Sequence, residues 1–323
     1  MHTNSDFWTN YMIRFAFPMR HLTALLLVVS GLLMSLPALA GQLHVVATLP
    51  TLAALAREVG GQHVVVSSLL SQNQDPHYAD ARPSLIVELS RADVLLQNGL
   101  ELEVGWLPTL VRQSRNAKIQ QGSIGWCDVS VFAPLLQVPQ VKVDRGMGDI
   151  HPGGNPHFVW DPRAGARIAE GLGKVYARID PANAATYQAN AKALAERLRA
   201  LATAERVRFA AIPEGRRKVV VYHDSVIYLV DWLGLKQVAT VEPRPGIPPS
   251  PSHVATVLQT MRAAGVTTIL QEAFYPKNAS QQLATLGKAK LVVLTGGVNF
   301  SGGERYEEYV RAVANAIYAA VAP

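Results

Sequence analysis

The chain has 323 residues, 49% hydrophobic and 17% charged, and so lacks the bias that a disordered tract, a coiled coil or a collagen-like fibre requires. Its single cysteine, Cys127, excludes a disulfide framework and any cysteine-built zinc or iron–sulfur site, so a bound metal must be held by histidine and carboxylate. The net charge of +6 is spread over scattered Lys and Arg with no interleaved aromatic platform, which reads as a solvated basic surface and not as a nucleic-acid interface.

Residues 1–40 read as a secretory signal. Arg20 and His21 make a short basic start, residues 22–36 an apolar run, and Ala38-Leu39-Ala40 a small-x-small cleavage site. The run is shorter than the roughly 20 residues that span a bilayer and contains Ser30 and Gly31, so cleavage after Ala40 is preferred to a retained anchor. No cysteine follows to carry a lipid, and Met12 or Met19 serves as a start as well as Met1 does. The mature chain is expected in an exported compartment, keeping seven of the nine histidines.

From Gly41 the apolar pattern alternates between strand and helix lengths. Strands are predicted at 43–48, 64–70, 94–98 and from 117–119, and helices at 50–60, 83–91 and 105–114. Residues 134–156 hold four prolines and four glycines and form a loop. Asp161-Pro162 then caps a helix over 163–178, and Asp180-Pro181 caps one over 182–211. At 1.5 Å per residue that second helix is about 45 Å long, which suits a strut between lobes. Alternation resumes with strands at 218–222, 237–242, 267–271 and 291–294, and helices at 225–232, 253–264 (capped by Ser252), 278–287 and 306–321. Near-continuous apolar strands alternating with helices indicate parallel sheets covered on both faces. The expected fold is α/β: two lobes, 41–179 and 213–323, each a mostly parallel sheet flanked by helices, joined by one long linker helix over 180–212.

Three histidines occupy the same kind of position, at or after the carboxyl end of a strand or in a loop. They are His77 in Gln74-Asp75-Pro76-His77-Tyr78, His157 in Asn155-Pro156-His157, and His223 in Tyr222-His223-Asp224. Ligands of open parallel sheets collect at the strands' carboxyl ends, so these three can meet only in a cleft between the lobes. Neutral imidazoles bind zinc at about 2.0–2.1 Å, and three of them leave one tetrahedral position open. His44 and His63 read as structural or surface residues, His151 as a loop histidine with at most weak or transient metal contact, and His253 as a hydrogen-bonding residue at a helix start.

These motifs carry a resemblance. Asp75-Pro76-His77, Asn98-Gly99-Leu100-Glu101-Leu102-Glu103 followed by Trp106-Leu107, Asn155-Pro156-His157 with Asp161-Pro162, Tyr222-His223-Asp224, and Glu242-Pro243-Arg244-Pro245-Gly246 resemble the periplasmic solute-binding proteins of zinc and manganese ABC importers, the cluster A-I group, over nearly the whole mature chain. The resemblance implies two lobes joined by a long helix and His77, His157 and His223 as metal ligands. It also implies a membrane permease with a cytoplasmic ATPase as partners of a monomeric carrier. Many members take a fourth ligand from an Asp-Pro after the last strand, where this chain has Leu294-Thr295-Gly296-Gly297. Water is the expected substitute and Glu272 the alternative, with a structural role for Glu272 bonding backbone amides. The loop 134–156 also lacks the His- and Asp-rich insert of some zinc members.

A nitrogen-rich donor set argues for zinc over manganese, which prefers harder oxygen ligands. A zinc hydrolase with Asp224 or Glu272 as general base is the rival reading, opposed by the lack of a His-Glu-x-x-His pattern and by strut-linked lobes. A surface adhesin is a second rival, on which the sequence is silent.

Overall fold

Runs of Val, Leu and Ile bounded by turn residues become eight short strands among the described residues, laid in two separate parallel sheets. The structure, a computed structural model, describes residues 41–141, 151–244 and 246–323, so the expected signal over 1–40 lies outside the described residues. The first sheet holds β1 (Leu43–Ala47), β2 (Val64–Ser68), β3 (Val94–Gln97) and β4 (Trp126–Asp128) in the order β2-β1-β3-β4. The second holds β5 (Lys218–Val221), β6 (Lys236–Thr240), β7 (Thr268–Glu272) and β8 (Lys290–Leu294) in the order β6-β5-β7-β8. In each, the chain steps first to one side of its initial strand and then to the other. A crevice therefore opens at the carboxyl ends of β1 and β3, and of β5 and β7.

Helices α1 (Pro50–Gly60) and α2 (Pro83–Arg91) pack on the first sheet, with α3 (Leu107–Ser114) against α2. After α4 (Pro162–Ile179), α5 (Ala184–Ala210) and α6 (Ile227–Leu233), the helices α7 (Pro251–Ala264), α8 (Asn278–Gly287) and α9 (Tyr306–Val321) pack on the second. Helices α1 to α4 and α7 all carry proline in their first turn, where the missing N–H has no partner to lose.

The long helix α5 has 27 residues, about 40 Å, and it is not a lone strut. Its buried stripe of Tyr187, Ala191, Leu194, Ala195, Leu198 and Leu201 lies along α4, and α1, α6 and α9 also touch it. An exposed apolar stripe that long would be unstable in water, so a partner helix is the physical requirement. The close approach needs Gly173, where a Cβ would stand 2.7 Å from the Ala191 methyl. One apolar core runs through both sheets and this helix pair, and a second (Val220, Val257, Met261, Ile269, Leu283) lies between β5, β7, α7 and α8.

Three local predictions are corrected. Residues 117–119 form a 3-10 turn, and the strand comes later, at Trp126–Asp128. The Asn116 side chain accepts from Lys118 N–H and donates to the Leu89 and Ala92 carbonyls, which holds the turn. Helix α7 starts earlier than expected, because Ser250 and not Ser252 accepts from the His253 N–H. Asp180 precedes a 3-10 turn, Pro181–Asn183, and not α5 itself; its carboxylate takes the Asn183 side-chain amide and the Tyr187 hydroxyl. Asp161 does cap α4, through the Arg163 N–H.

Candidate metal centre

Two of the three histidines are set by the same local device. In Asp75-Pro76-His77 the aspartate accepts from the His77 N–H at 3.0 Å, and in Asn155-Pro156-His157 the asparagine oxygen accepts from the His157 N–H, also at 3.0 Å. An Asx residue bonding its own backbone two positions on, with proline fixing the residue between, makes a stiff turn that aims the third side chain. Each turn is tied further: the Pro76 carbonyl accepts from the Trp106 indole at 3.0 Å, and the Pro156 carbonyl from the Asn98 amide at 2.9 Å. His223 leaves the end of β5 at the second sheet's crevice, its ring nitrogen Nδ1 2.6 Å from Glu242, which follows β6.

The structure brings His77, His157 and His223 together: each offers one ring nitrogen such that all three lie within 4.8 Å of one another. Their ring centroids are 5.1, 5.8 and 5.7 Å apart. Imidazoles on one tetrahedral zinc stand about 5.1 Å apart by centroid, so the cluster needs only small shifts to hold an ion. His157 and His223 are buried, and His77 and His223 line a cleft of about 430 Å³ with Asp75, Glu242 and Tyr275.

Carboxylates orient two of the rings. Asp75 lies 2.9 Å from His77 Nδ1 and Glu242 2.6 Å from His223 Nδ1, so both rings present Nε2 to the shared point. Burial, together with the neighbouring imidazoles of His77, His223 and His151, holds His157 well below its ordinary 6.5 and keeps it neutral. Burial pulls His223 the same way, but the Glu242 hydrogen bond and the charges of Glu272, Glu242 and Asp224 outweigh it and raise its pKa. Burial works to raise Asp75, and the bonds and charge of His77 overcome it, so its carboxyl lies below the usual range.

Neither partner carboxylate was assigned a role from the sequence. Asp75 had a local signal in its Asx-Pro-His turn, whereas Glu242 meets His223 only through the pairing of β5 with β6. Glu242→Gln keeps the size of the acceptor but removes the charge, and is expected to weaken zinc binding about 10- to 100-fold in a chelator competition. Unchanged affinity would show that the ring needs no such orientation.

The remaining candidates fall outside the group of three ring nitrogens. Glu272 is buried but is not grouped with the three histidines; one oxygen accepts from the Ser225 hydroxyl, and the other is buried with no hydrogen-bond partner among the described residues. Burial pushes its pKa to about 7. Asp224 accepts from Gln237 at 2.7 Å. His63 packs edge-on to Tyr187, and His253 bonds the Thr240 carbonyl at 3.1 Å. His151 lies closer than the sequence indicated, its ring 5.5 Å from that of His77.

Comparison with known proteins gives one consistent result. The family described as zinc-uptake complex component A, periplasmic (ZnuA), matches residues 45–320. The metal ABC transporter substrate-binding lipoprotein ScbA of Streptococcus cristatus is 26% identical over 237 residues, 72% of each chain. The iron-binding protein YfeA of Yersinia pestis is 27% identical over 230 residues, 68% of this chain and 67% of that one. A crystal structure of ZnuA superposes with a TM-score of 0.73 at 24% identity, covering 87% of this chain and 100% of the other, and shares the fold.

Proposed function

We propose that this chain, which belongs to the periplasmic zinc-uptake complex component A family, captures zinc(II) through His77, His157 and His223 and delivers it to an importer. The family consists of substrate-binding proteins of metal ABC importers and not of enzymes, and its members bind divalent metals. The finer reading is a periplasmic, monomeric carrier, exported by a cleavable signal, that docks on a permease driven by a cytoplasmic ATPase.

One observation carries the choice of zinc: three ring nitrogens lie within 4.8 Å of one another, and among the described residues no carboxylate joins that group. Imidazole suits zinc, while manganese calls for oxygen ligands that this cluster does not offer. Asp75 and Glu242 balance the ion's charge from behind the rings without needing to touch it. Asp224 accepts from Gln237, and Glu272 takes the Ser225 hydroxyl on one of its two oxygens.

Competition titration against a chelator at neutral pH is expected to give zinc tighter than manganese by at least about a thousandfold. Equal affinities would overturn the assignment of cargo. The pH dependence has a definite sign. Zinc needs neutral rings, and His157 is neutral already, but His223 has a raised pKa and must lose a proton. Affinity should therefore fall as pH drops through the His223 titration, with proton release accompanying zinc binding in that range. Calorimetry in buffers of different ionisation heat counts that proton, and a count near zero would contradict the role given to Glu242.

A further inference from the structure

Three imidazoles fill three corners of a tetrahedron, and β8 supplies nothing for the fourth. Leu294 is followed by Thr295, whose carbonyl takes the Tyr309 hydroxyl at 2.9 Å. At Gly296 a side chain would press on the Gln72 carbonyl oxygen at 2.8 Å, so that turn has no room for a carboxylate. Glu272 gives one oxygen to Ser225, and neither of its oxygens is grouped with the three ring nitrogens.

A fourth imidazole is already beside the cluster. The His151 ring lies 5.5 Å from the His77 ring, tilted by 30°, within the 5.1 to 5.8 Å range of the other three pairs. It is also close enough to His157 to oppose that ring's protonation. The short stretch that carries it is fixed at several points. The His151 carbonyl accepts from the Gly154 N–H at 3.1 Å, and the Asn155 N–H bonds the Leu136 carbonyl at 2.9 Å. The Asn155 side chain reaches the Asp224 carbonyl at 3.0 Å, and the Asn155 carbonyl takes the Tyr228 hydroxyl at 2.8 Å. His151 is thus held next to the site by contacts to the segment before it and to the second half of the chain.

We propose that His151 is the fourth protein ligand of the captured ion, giving an all-imidazole site in place of three imidazoles and a water; this rests on the three-histidine zinc reading above. The His151 nitrogens lie outside the group formed by the other three, so binding draws the ring inward by rotation of its side chain. Four neutral nitrogen donors suit zinc and leave no oxygen position for manganese, so His151 also sharpens the choice of cargo.

The test compares the zinc-loaded full chain with His151→Ala and His151→Gln by X-ray absorption at the zinc edge. The wild type is expected to show four imidazole shells, and both variants three imidazoles and one oxygen. Zinc affinity is expected to drop about tenfold or more in chelator competition, with the manganese affinity unchanged. Three imidazoles and an oxygen in the zinc-loaded wild type, unaltered by either substitution, overturn the role of His151 alone. A wild type that takes up no zinc overturns the three-histidine reading itself, and this inference with it.

Discussion

His157→Ala should lower zinc affinity by about two to three orders of magnitude. Zinc held by four protein ligands binds with about 10–16 kcal/mol, so one ligand accounts for roughly 3–4 kcal/mol, or about 10²- to 10³-fold. His157 is the cleanest of the three to remove. It is neutral before the ion arrives, so its loss carries no change in proton release to be disentangled. Its Asx turn is closed by a backbone N–H, which alanine retains, so the loop keeps its bond to Asn155. By contrast, His223→Ala would leave the Glu242 carboxylate buried without its ring partner and confound binding with folding. The measurement is a chelator competition paired with a melting curve of the metal-free variant. A folded His157→Ala protein that binds zinc within tenfold of the wild type would remove His157 from the site.

Much of this could be read along the chain because the determining signals are local. Parallel strands buried on both faces appear as unbroken runs such as Val219-Val220-Val221, and proline at a helix start marks the next element. The Asx-Pro-His turns are legible for the same reason, since the residues that fix His77 and His157 are their immediate neighbours. What escaped the sequence is what tertiary pairing creates. Glu242 reaches His223 from 19 positions away because β6 lies beside β5. The His151 ring meets His77 with no periodic signal linking them. Strand β4 is three residues long, too short for any alternation to show, and a turn held by Asn116 lies where a strand was expected. Nothing local marks Gly173 of α4 as a site of close approach to Ala191 of α5.

Trp232→Ala is expected to destabilise the protein by about 3–5 kcal/mol, a large share of the roughly 5–15 kcal/mol that holds an ordinary domain folded. The indole is 1% exposed, and its N–H donates to the Trp160 carbonyl at 2.9 Å. That bond joins α6, which follows His223, to the 3-10 turn that begins at His157. Tyr306 donates to the Val159 carbonyl at 3.0 Å, and Arg163 pairs with Asp231 across the same seam. The distance between His157 and His223 is thus fixed by a packed, hydrogen-bonded interface and not by a hinge. Trp232→Phe keeps most of the volume and removes only the donor, so it should cost about 1 kcal/mol and leave zinc affinity within about threefold. Trp232→Ala should weaken zinc binding about tenfold as well, because the two imidazoles lose their fixed separation. Urea unfolding of both variants, alongside chelator competition, separates the effects. If the alanine variant loses stability but binds zinc like the wild type, the Asx-Pro-His turns set the site by themselves and the seam between the halves does not.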